Sequence, residues 1–192
     1  MKYYIAADGG GTKLQAVLYD EDLRVVNSAR MFGTNTRKKP EERVEEEIER
    51  MLDILLPVSV TRLEGADLCI LRYSGLFCRL LERRCLVAHF AYWDEGETAL
   101  AAAGERYGVT AQAGTGSDAF LVQPDRRDSV GGWGYVLGDE GSGYDIGLRT
   151  LRAAIYASDG RGPQTSLLAL LTKEWGLAAP RSLVGKVMDA DD

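Results

Sequence analysis

An acidic residue followed by three glycines constrains this chain most: Asp8-Gly9-Gly10-Gly11 precedes Thr12 and Lys13 in the segment ADGGGTKLQAVLYD. Glycine reaches positive φ without strain and lets backbone N–H groups approach a ligand closely. The flanking segments KYYIAA and KLQAVLYD are typical of strands, so the glycines predict a tight hairpin turn. N–H donors beside a hydroxyl and an ammonium group also form a concave anion site. The stretch predicts a hairpin that binds phosphate or a plain hairpin turn, and the two interpretations are compatible.

Charge and composition exclude several classes of partner. The net charge of −6 over 192 residues leaves no basic stripe to neutralise the phosphates of a nucleic acid. The apolar runs are far shorter than a membrane span, and Asp8 ends the first of them too early for a signal peptide. Cys69, Cys78 and Cys85 are odd in number and lack CxxC spacing, which favours reduced thiols. We expect a cytoplasmic protein with neither a nucleic-acid nor a membrane partner.

Apolar periodicity and turn residues predict an α/β order in the first half of the chain. Residues 2–30 are typical of three antiparallel strands, and "PEERVEEEIERMLDILLP" from Pro40 to Pro57 of an amphipathic helix. "ADLCILRYSG" and "RCLVAHF" are typical of two further strands. Asp94 and Glu97 form a capping-box pattern at the start of a helix that we expect to end at Gly108.

The second half repeats the opening pattern. "VTAQA", "AFLVQ" and a third segment after the turn "PDRRD" are typical of strands, and the first two are joined by a glycine turn. A helix from about Leu148 to Ser158, the helix "QTSLLALLTKEWG" and a polar tail follow. The chain therefore resembles a duplicated β-β-β-α unit, with the boundary between the halves near Gly108.

Three glycine-rich motifs carry a family resemblance: DGGGTK at 8–13, AGTGS at 113–117 and LGDEGSGY at 137–144. In this order they resemble the BadF/BadG/BcrA/BcrD-type ATPase family, which includes N-acetylglucosamine kinase and belongs with sugar kinases, actin and Hsp70 chaperones. The resemblance implies an α/β chain of the actin-like ATPase (ribonuclease H-like) fold with ATP between two lobes. The N-terminal lobe would span 1–108, and a partial second lobe 109–192.

The resemblance also assigns the phosphate and metal sites. Asp8 would belong to the Mg²⁺ shell, and two loops would bind the phosphates of ATP. These loops consist of Gly10, Gly11, Thr12 and Lys13 and of Gly114, Thr115, Gly116 and Ser117. Two such turns can hold one polyphosphate while the metal neutralises charge that develops during in-line transfer.

For the acceptor contacts and the catalytic base, the resemblance leaves alternatives open. By resemblance, Asn35 in "GTN" would touch the sugar, although an Asn also suits a turn. Asp139 and Glu140 would contact the acceptor or metal, or else bond the N–H groups of their own loop. Relatives carry Asn-Asp before the helix that starts here at 94–95. Alignment of the helix puts Glu95 on the catalytic Asp, whereas residue type favours Asp94, which could also be only the N-cap.

Two departures from the family pattern stand out. We read "LRYSGLF" as a strand, and in it Arg72 replaces a glycine and Phe77 an acid near the presumed acceptor pocket. Relatives also continue beyond the point that corresponds to Asp192, where they supply the adenosine site. We therefore expect an impaired enzyme that binds ATP weakly, prefers adenine little and exposes apolar surface that could form a homodimer.

The expected function is ATP-dependent phosphoryl transfer to a sugar hydroxyl, with N-acetylglucosamine as the first acceptor to test. One alternative is an ATPase activator of a CoA-ester reductase or dehydratase, which needs a cluster-binding cysteine in a glycine-rich setting. Cys69, Cys78 and Cys85 lie instead in strand-like or basic segments. A non-catalytic nucleotide or sugar sensor is the other alternative.

Overall fold

The computed structural model of the protein describes residues 1–33 and 40–189. Its strands are β1 (Tyr3–Gly9), β2 (Lys13–Asp20), β3 (Val25–Phe32), β4 (Arg62–Leu63), β5 (Gly65–Ile70), β6 (Leu86–Val87), β7 (Phe90–Tyr92), β8 (Gly108–Ala113), β9 (Ser117–Val122) and β10 (Arg127–Gly131). Its helices are α1 (Glu41–Leu55), α2 (Ser74–Glu82), α3 (Glu95–Ala102), α4 (Gly143–Ser158), α5 (Leu167–Glu174) and α6 (Leu183–Met188), the last preceded by a 3₁₀ turn (Pro180–Ser182).

The first three strands form an antiparallel meander. β1 pairs with β2 and β2 with β3, and the Gly10 N–H donates to the Lys13 carbonyl, 3.0 Å away, inside the glycine turn. Leu14, Ala16 and Leu18 alternate into the core, as the period of two requires. The predicted meander over residues 2–30 is confirmed.

Parallel pairing extends this sheet on one side only. β5 runs parallel to β1, and β7 runs parallel to β5, so the strand order is β3-β2-β1-β5-β7. The carboxyl ends of β1, β5 and β7 therefore lie at the same edge of the sheet. In open α/β sheets, ligands bind outside this edge.

Helices α1 and α2 supply the apolar residues that pack on one face of the sheet. The buried residues of α1 are those that the periodicity predicts: Val44, Ile48, Met51, Leu52 and Leu55. The interpretation of "LRYSGLF" as a strand is wrong, since α2 begins at Ser74. Its apolar side chains recur at helical spacing, and Phe77 is fully buried in the core. Phe77 therefore does not line an acceptor pocket.

Several predicted boundaries move for local reasons. "RCLVAHF" forms two short strands, β6 and β7, rather than one. Helix α3 ends at Ala102 rather than Gly108, because Gly104 adopts a φ of +76° and supplies the left-handed turn after the helix. Helix α4 begins at Gly143, five residues before the predicted start, and the polar tail contains a 3₁₀ turn and α6.

The second meander repeats the order of the first. β8, β9 and β10 form a sheet in the order β10-β9-β8, and short turns join them in sequence. Such turns permit only antiparallel pairing, because a parallel pair needs a long crossover connection. The repeated three-strand pattern that the sequence predicts is present.

The contacts divide the chain into two units. One comprises Met1–Thr110 with Phe120–Asp128, and the other comprises Ala111–Ala119 with Ser129–Asp192. A lobe boundary near residue 108 stays a prediction. In the part of the chain that the structure describes, no helix has both the length and the apolar character to cross a membrane.

Alanine substitutions at two helical glycines, Gly96 and Gly75, are expected to change the stability of the protein in opposite directions. A Cβ on Gly96 would collide with the Cβ of Phe120 and lie 2.8 Å from its Cγ, whereas a Cβ on Gly75 would meet only the Arg79 guanidinium at 3.7 Å. We expect Gly96→Ala to destabilise the protein by about 1–3 kcal/mol through overpacking. Gly75→Ala should stabilise it by up to about 1 kcal/mol through helix propensity. Urea midpoints followed by circular dichroism measure both, and shifts in the same direction would contradict the packing argument.

Candidate functional site

The first glycine turn is held in shape by a residue far along the sequence. The Gly33 N–H donates to the Thr12 carbonyl at 3.0 Å. A Cβ on Gly33 would run into the Gly11 carbonyl and lie 2.7 Å from the Gly10 oxygen. Gly33 is therefore a glycine because the backbone of the turn packs against it. Sequence reasoning missed this role, although the glycine of the "GTN" motif was the available signal.

The turn leaves its polar groups accessible. Gly11, Thr12 and Lys13 are exposed, as is Asp8 near the end of β1. An exposed carboxylate suits Mg²⁺, which binds through one or two carboxylates together with waters and phosphate oxygens. No group of three His, Cys, Asp or Glu side chains that could hold a metal occurs among residues 1–33 and 40–189. Asn35, the predicted acceptor contact, lies outside the described residues.

Strand register brings the predicted carboxylates to one edge. Asp8 is the cross-strand partner of Cys69, and Leu68 is the partner of Tyr92. The next N–H, that of Trp93, donates to the Leu68 carbonyl at 2.9 Å. Asp94 and Glu95 follow at the start of α3, so they stand at the same carboxyl edge as Asp8.

The pKa of the Cys69 thiol is affected by all three of these carboxylates. Burial raises the pKa of Cys69 to about 11, and the negative charges of Asp8, Glu95 and Asp94 add to the rise, while a contact with Thr98 opposes it. The side chain is buried and is therefore a neutral thiol at physiological pH. Burial likewise raises the pKa values of Cys78 and Cys85.

Asp94 caps α3 with one carboxylate oxygen. Its Oδ1 accepts from the Glu97 N–H at 2.6 Å, and Glu97 Oε2 accepts from the Asp94 N–H at 3.3 Å, which confirms the predicted capping box. Arg127 donates two hydrogen bonds, at 3.1 and 3.0 Å, to the other oxygen of Glu97. Within the described residues, Asp94 Oδ2 accepts no hydrogen bond. The geometry fixes the carboxylate and leaves one oxygen for other chemistry.

In the other unit, the second glycine turn and the LGDEGSGY segment form one structure. The Gly114 N–H donates to the Gly116 carbonyl at 2.9 Å, and the Gly143 N–H donates to the Gly114 carbonyl at 2.7 Å. Ser117 Oγ donates to the Glu140 carbonyl at 2.8 Å. Thr115 is exposed at the tip of the turn. These bonds fix the backbone of the predicted phosphate loop to the start of α4.

Asp139 lies beneath this turn. Its side chain is buried, a Cβ on Gly116 would lie 3.0 Å from its Oδ2, and its backbone adopts a φ of +63°. The Ser117 N–H points to its Oδ1 at 3.4 Å. Glu140, in contrast, is exposed. Asp139 thus supports the turn, and acceptor contacts by Asp139 and Glu140 stay predictions.

Ser142 explains the early start of α4. It is fully buried, and its Oγ accepts from the Asp145 N–H at 3.1 Å. A hydrogen bond from Arg149 and another from the Gly141 N–H hold the pKa of Asp145 below its usual range. Sequence reasoning missed Ser142, although Ser-x-x-Asp before a helix is an N-terminal capping signal.

Two β-meanders, each with a glycine-rich hairpin, and a carboxylate-bearing parallel edge define an α/β protein of the actin-like ATPase fold. A model of the BadF/BadG/BcrA/BcrD ATPase family matches residues 7–190. The chain belongs to this family.

Individual relatives are consistent with membership of this family. An N-acetylmuramic acid/N-acetylglucosamine kinase from Clostridium acetobutylicum is 30% identical over 181 residues, which cover 87% of this chain and 58% of the relative. A solved structure of a candidate N-acetylglucosamine kinase from Chromobacterium violaceum matches with a TM-score of 0.70 and 25% identity, over 100% of this chain and 70% of that one.

A more distant structure supports the fold alone. A ROK family glucokinase from Streptomyces griseus, solved with glucose and AMPPNP, matches with a TM-score of 0.51 and 16% identity, over 82% of this chain and 62% of that one. The expected fold class is confirmed. The chain spans a little over half the length of its Clostridium relative.

Two serines at helix starts give a matched test of the second loop. Ser142 caps α4 with its side chain, whereas Ser166 precedes α5 without a capping hydrogen bond. We expect Ser142→Ala to cost about 1 kcal/mol of unfolding free energy, and Ser166→Ala less than about 0.5 kcal/mol. Urea denaturation measures both. Equal losses would mean that the Ser142 cap does not stabilise the loop.

The raised pKa of Cys69 predicts a stability change at alkaline pH. In the unfolded chain the thiol ionises near pH 9, and in the folded protein near pH 11. Between these values the folded state binds more protons, so stability falls as pH rises. Cys69→Ser removes this group, and we expect its unfolding free energy to fall less steeply from pH 9 to 11 than that of wild type. Parallel slopes in urea titrations would refute the assignment.

Proposed function

We propose that this chain forms part of an ATP-dependent sugar kinase that transfers the γ-phosphoryl group of Mg·ATP to a sugar hydroxyl. The observation that carries the proposal is the meeting of Asp8 with Asp94 and Glu95 at the carboxyl edge of β1, β5 and β7. Membership of the family supports nucleotide use, and the names of the relatives support a sugar acceptor.

The glycine turns are proposed to bind phosphate. In the first, the partly buried backbone of Gly10 and the exposed backbone of Gly11 lie beside the Thr12 hydroxyl and the Lys13 ammonium group, and these donors suit phosphate oxygens. In the second, hydrogen bonds to Glu140 and Gly143 hold the backbone of Gly114 to Ser117. A prearranged backbone binds developing negative charge without reorganising during the reaction.

Asp8 is proposed to hold Mg²⁺ through its exposed carboxylate. The bound metal would neutralise charge on the transferring phosphoryl group. The neighbouring thiol of Cys69 contributes no charge at neutral pH because burial raises its pKa to about 11. Asp8 is thus backed by a neutral, buried side chain rather than by another anion.

Asp94 is proposed as the base that accepts the proton of the attacking sugar hydroxyl. A general base must stand within hydrogen-bond reach of that proton and must be held there. The capping bond to Glu97 fixes one oxygen of Asp94, and Oδ2 would accept the proton. Glu95 lies one residue further along and is the competing candidate.

The acceptor is proposed to be an amino sugar. The relative from Clostridium acetobutylicum is named for N-acetylmuramic acid and N-acetylglucosamine, so N-acetylglucosamine is the first acceptor to test. Asn35, Asp139 and Glu140 stay proposed contacts to it.

Cysteine burial favours the kinase over the ATPase activator. An iron–sulfur cluster is held by thiolates, and such thiols must reach the cluster. Cys69, Cys78 and Cys85 are all buried, and burial raises the pKa of each. A reconstituted iron–sulfur spectrum would favour the activator, and binding of Mg·ATP and sugar without transfer would favour the sensor.

Conservative variants distinguish the two candidate bases. Asp94→Asn keeps an N-cap oxygen, so α3 should stay folded, but it removes the proton acceptor. We expect it to lower the rate of sugar phosphate formation by about 100-fold or more, with the Kd of Mg·ATP changed less than about twofold. Glu95→Gln should change the rate less than about threefold.

The measurement is single-turnover transfer from γ-labelled ATP to N-acetylglucosamine, with calorimetry for binding and circular dichroism for folding. The reverse ranking would make Glu95 the base. Wild-type protein that binds Mg·ATP but forms no sugar phosphate with any amino sugar would refute the kinase proposal.

A further inference from the structure

Asp67 lies on the face of the sheet opposite the main core, two residues before Cys69 on β5. Ala6 is its partner on β1, and Ala91 is its partner on β7. Neighbouring residues Ala66 and Leu68 point into the core and are buried. Asp67 is only partly buried, and the sequence gives no motif that marks it as functional.

The carboxylate of Asp67 receives two hydrogen bonds from aromatic side chains. Trp93 Nε1 donates to Oδ1 at 2.9 Å, and the Tyr19 hydroxyl donates to Oδ2 at 3.4 Å. Burial and the negative charge of Asp67 raise the pKa of Tyr19, which keeps the phenol protonated as a donor. Hydrogen bonds to an ionised acceptor are stronger than neutral ones.

Trp93 is the residue directly before Asp94. Its backbone N–H donates to the Leu68 carbonyl, and its indole N–H donates to Asp67, so β5 holds it at two points. The indole is 47% exposed. Packing alone therefore does not fix this side chain, and the bond to Asp67 sets its orientation.

A second residue of β5 on the same face, Cys69, contacts the first turn of α3. Cys69 Sγ lies 3.7 Å from Thr98 Oγ1, and that hydroxyl is 3.2 Å from the Asp94 carbonyl and 3.0 Å from the Glu95 carbonyl. Two alternate residues of β5, at 67 and 69, thus hold the chain immediately before and after Asp94.

We propose that Asp67 is a positioning residue, which holds Trp93 and thereby aims the Asp94 carboxylate at the acceptor hydroxyl. This inference rests on the proposed function, in which Asp94 is the base. Small displacements of a reacting group cost large factors in rate, so loss of the Asp67 bond should lower turnover without removing any ligand contact.

Three variants test the proposal. Asp67→Leu removes both hydrogen bonds. Asp67→Asn keeps an oxygen for the Trp93 indole and an amide for the Tyr19 oxygen, and so should restore wild-type behaviour. Trp93→Phe removes only the indole donor. The matched control is Asp53→Leu, which removes an α1 carboxylate that pairs with Arg84, two residues after the end of α2.

The structural readout is the backbone amide of Glu97, whose N–H bonds to Asp94 Oδ1. We expect Asp67→Leu and Trp93→Phe to accelerate its hydrogen exchange, measured by NMR, by about tenfold, and Asp67→Asn and Asp53→Leu to change it less than about twofold. In turnover, Asp67→Leu should lower kcat by about tenfold or more, with KM for ATP nearly unchanged.

The outcomes are separable from those of the kinase proposal. Unchanged Glu97 exchange in both Asp67→Leu and Trp93→Phe would overturn the positioning role, as would faster exchange with unchanged kcat. If Asp67→Asn does not restore wild-type Glu97 exchange and kcat, packing rather than the hydrogen bond positions Trp93, and the proposal is overturned. If the wild type makes no sugar phosphate, the kinase proposal fails, whereas the exchange data still decide whether Asp67 holds the cap. If Asp67→Leu does not fold, Glu97 exchange and kcat in Trp93→Phe decide whether the bond between Asp67 and Trp93 positions Asp94.

Discussion

The parallel pairing of β5 between β1 and β7 is the constraint on which the candidate site depends. It sets Asp8 opposite Cys69 and lets the Leu68 carbonyl bind the Trp93 N–H, so that the chain enters α3 at the edge where β1 ends. A shift of one residue in this register would turn Asp8 into the core and Ile5 to the other face. The fully buried Ile5 opposes such a shift, because the shift would take its side chain out of the core. Core packing therefore fixes the positions of the polar residues.

The two glycine turns reach a defined shape by different means. In the first, a distant glycine, Gly33, leaves room for the carbonyls of the turn. In the second, the turn is bonded to the LGDEGSGY segment, with Asp139 beneath Gly116 and the Ser142 cap at the start of α4. Each turn thus depends on a segment distant in sequence, which explains why a glycine motif alone is a weak predictor of a phosphate site.

The catalytic proposal gives the capping residue a second role. Asp94 uses one oxygen to start α3, and the other oxygen is left for chemistry. The same helix is held by Arg127 through Glu97 and by β5 through Thr98 and Trp93. A carboxylate that already serves as a helix cap is restricted in orientation, and restriction of this kind is what a general base requires.

Local signals in the sequence determined the opening meander, the buried face of α1, the capping box at Asp94 and Glu97, and the family motifs. Each depends on residues within a few positions of one another, where periodicity and capping patterns apply. Tertiary structure alone decided that Phe77 packs in the core against the sheet, that Gly33 supports the first turn, and that Asp67 and Cys69 hold the start of α3. These features join residues that are distant in sequence, and strand register and packing, which no local pattern encodes, bring them together.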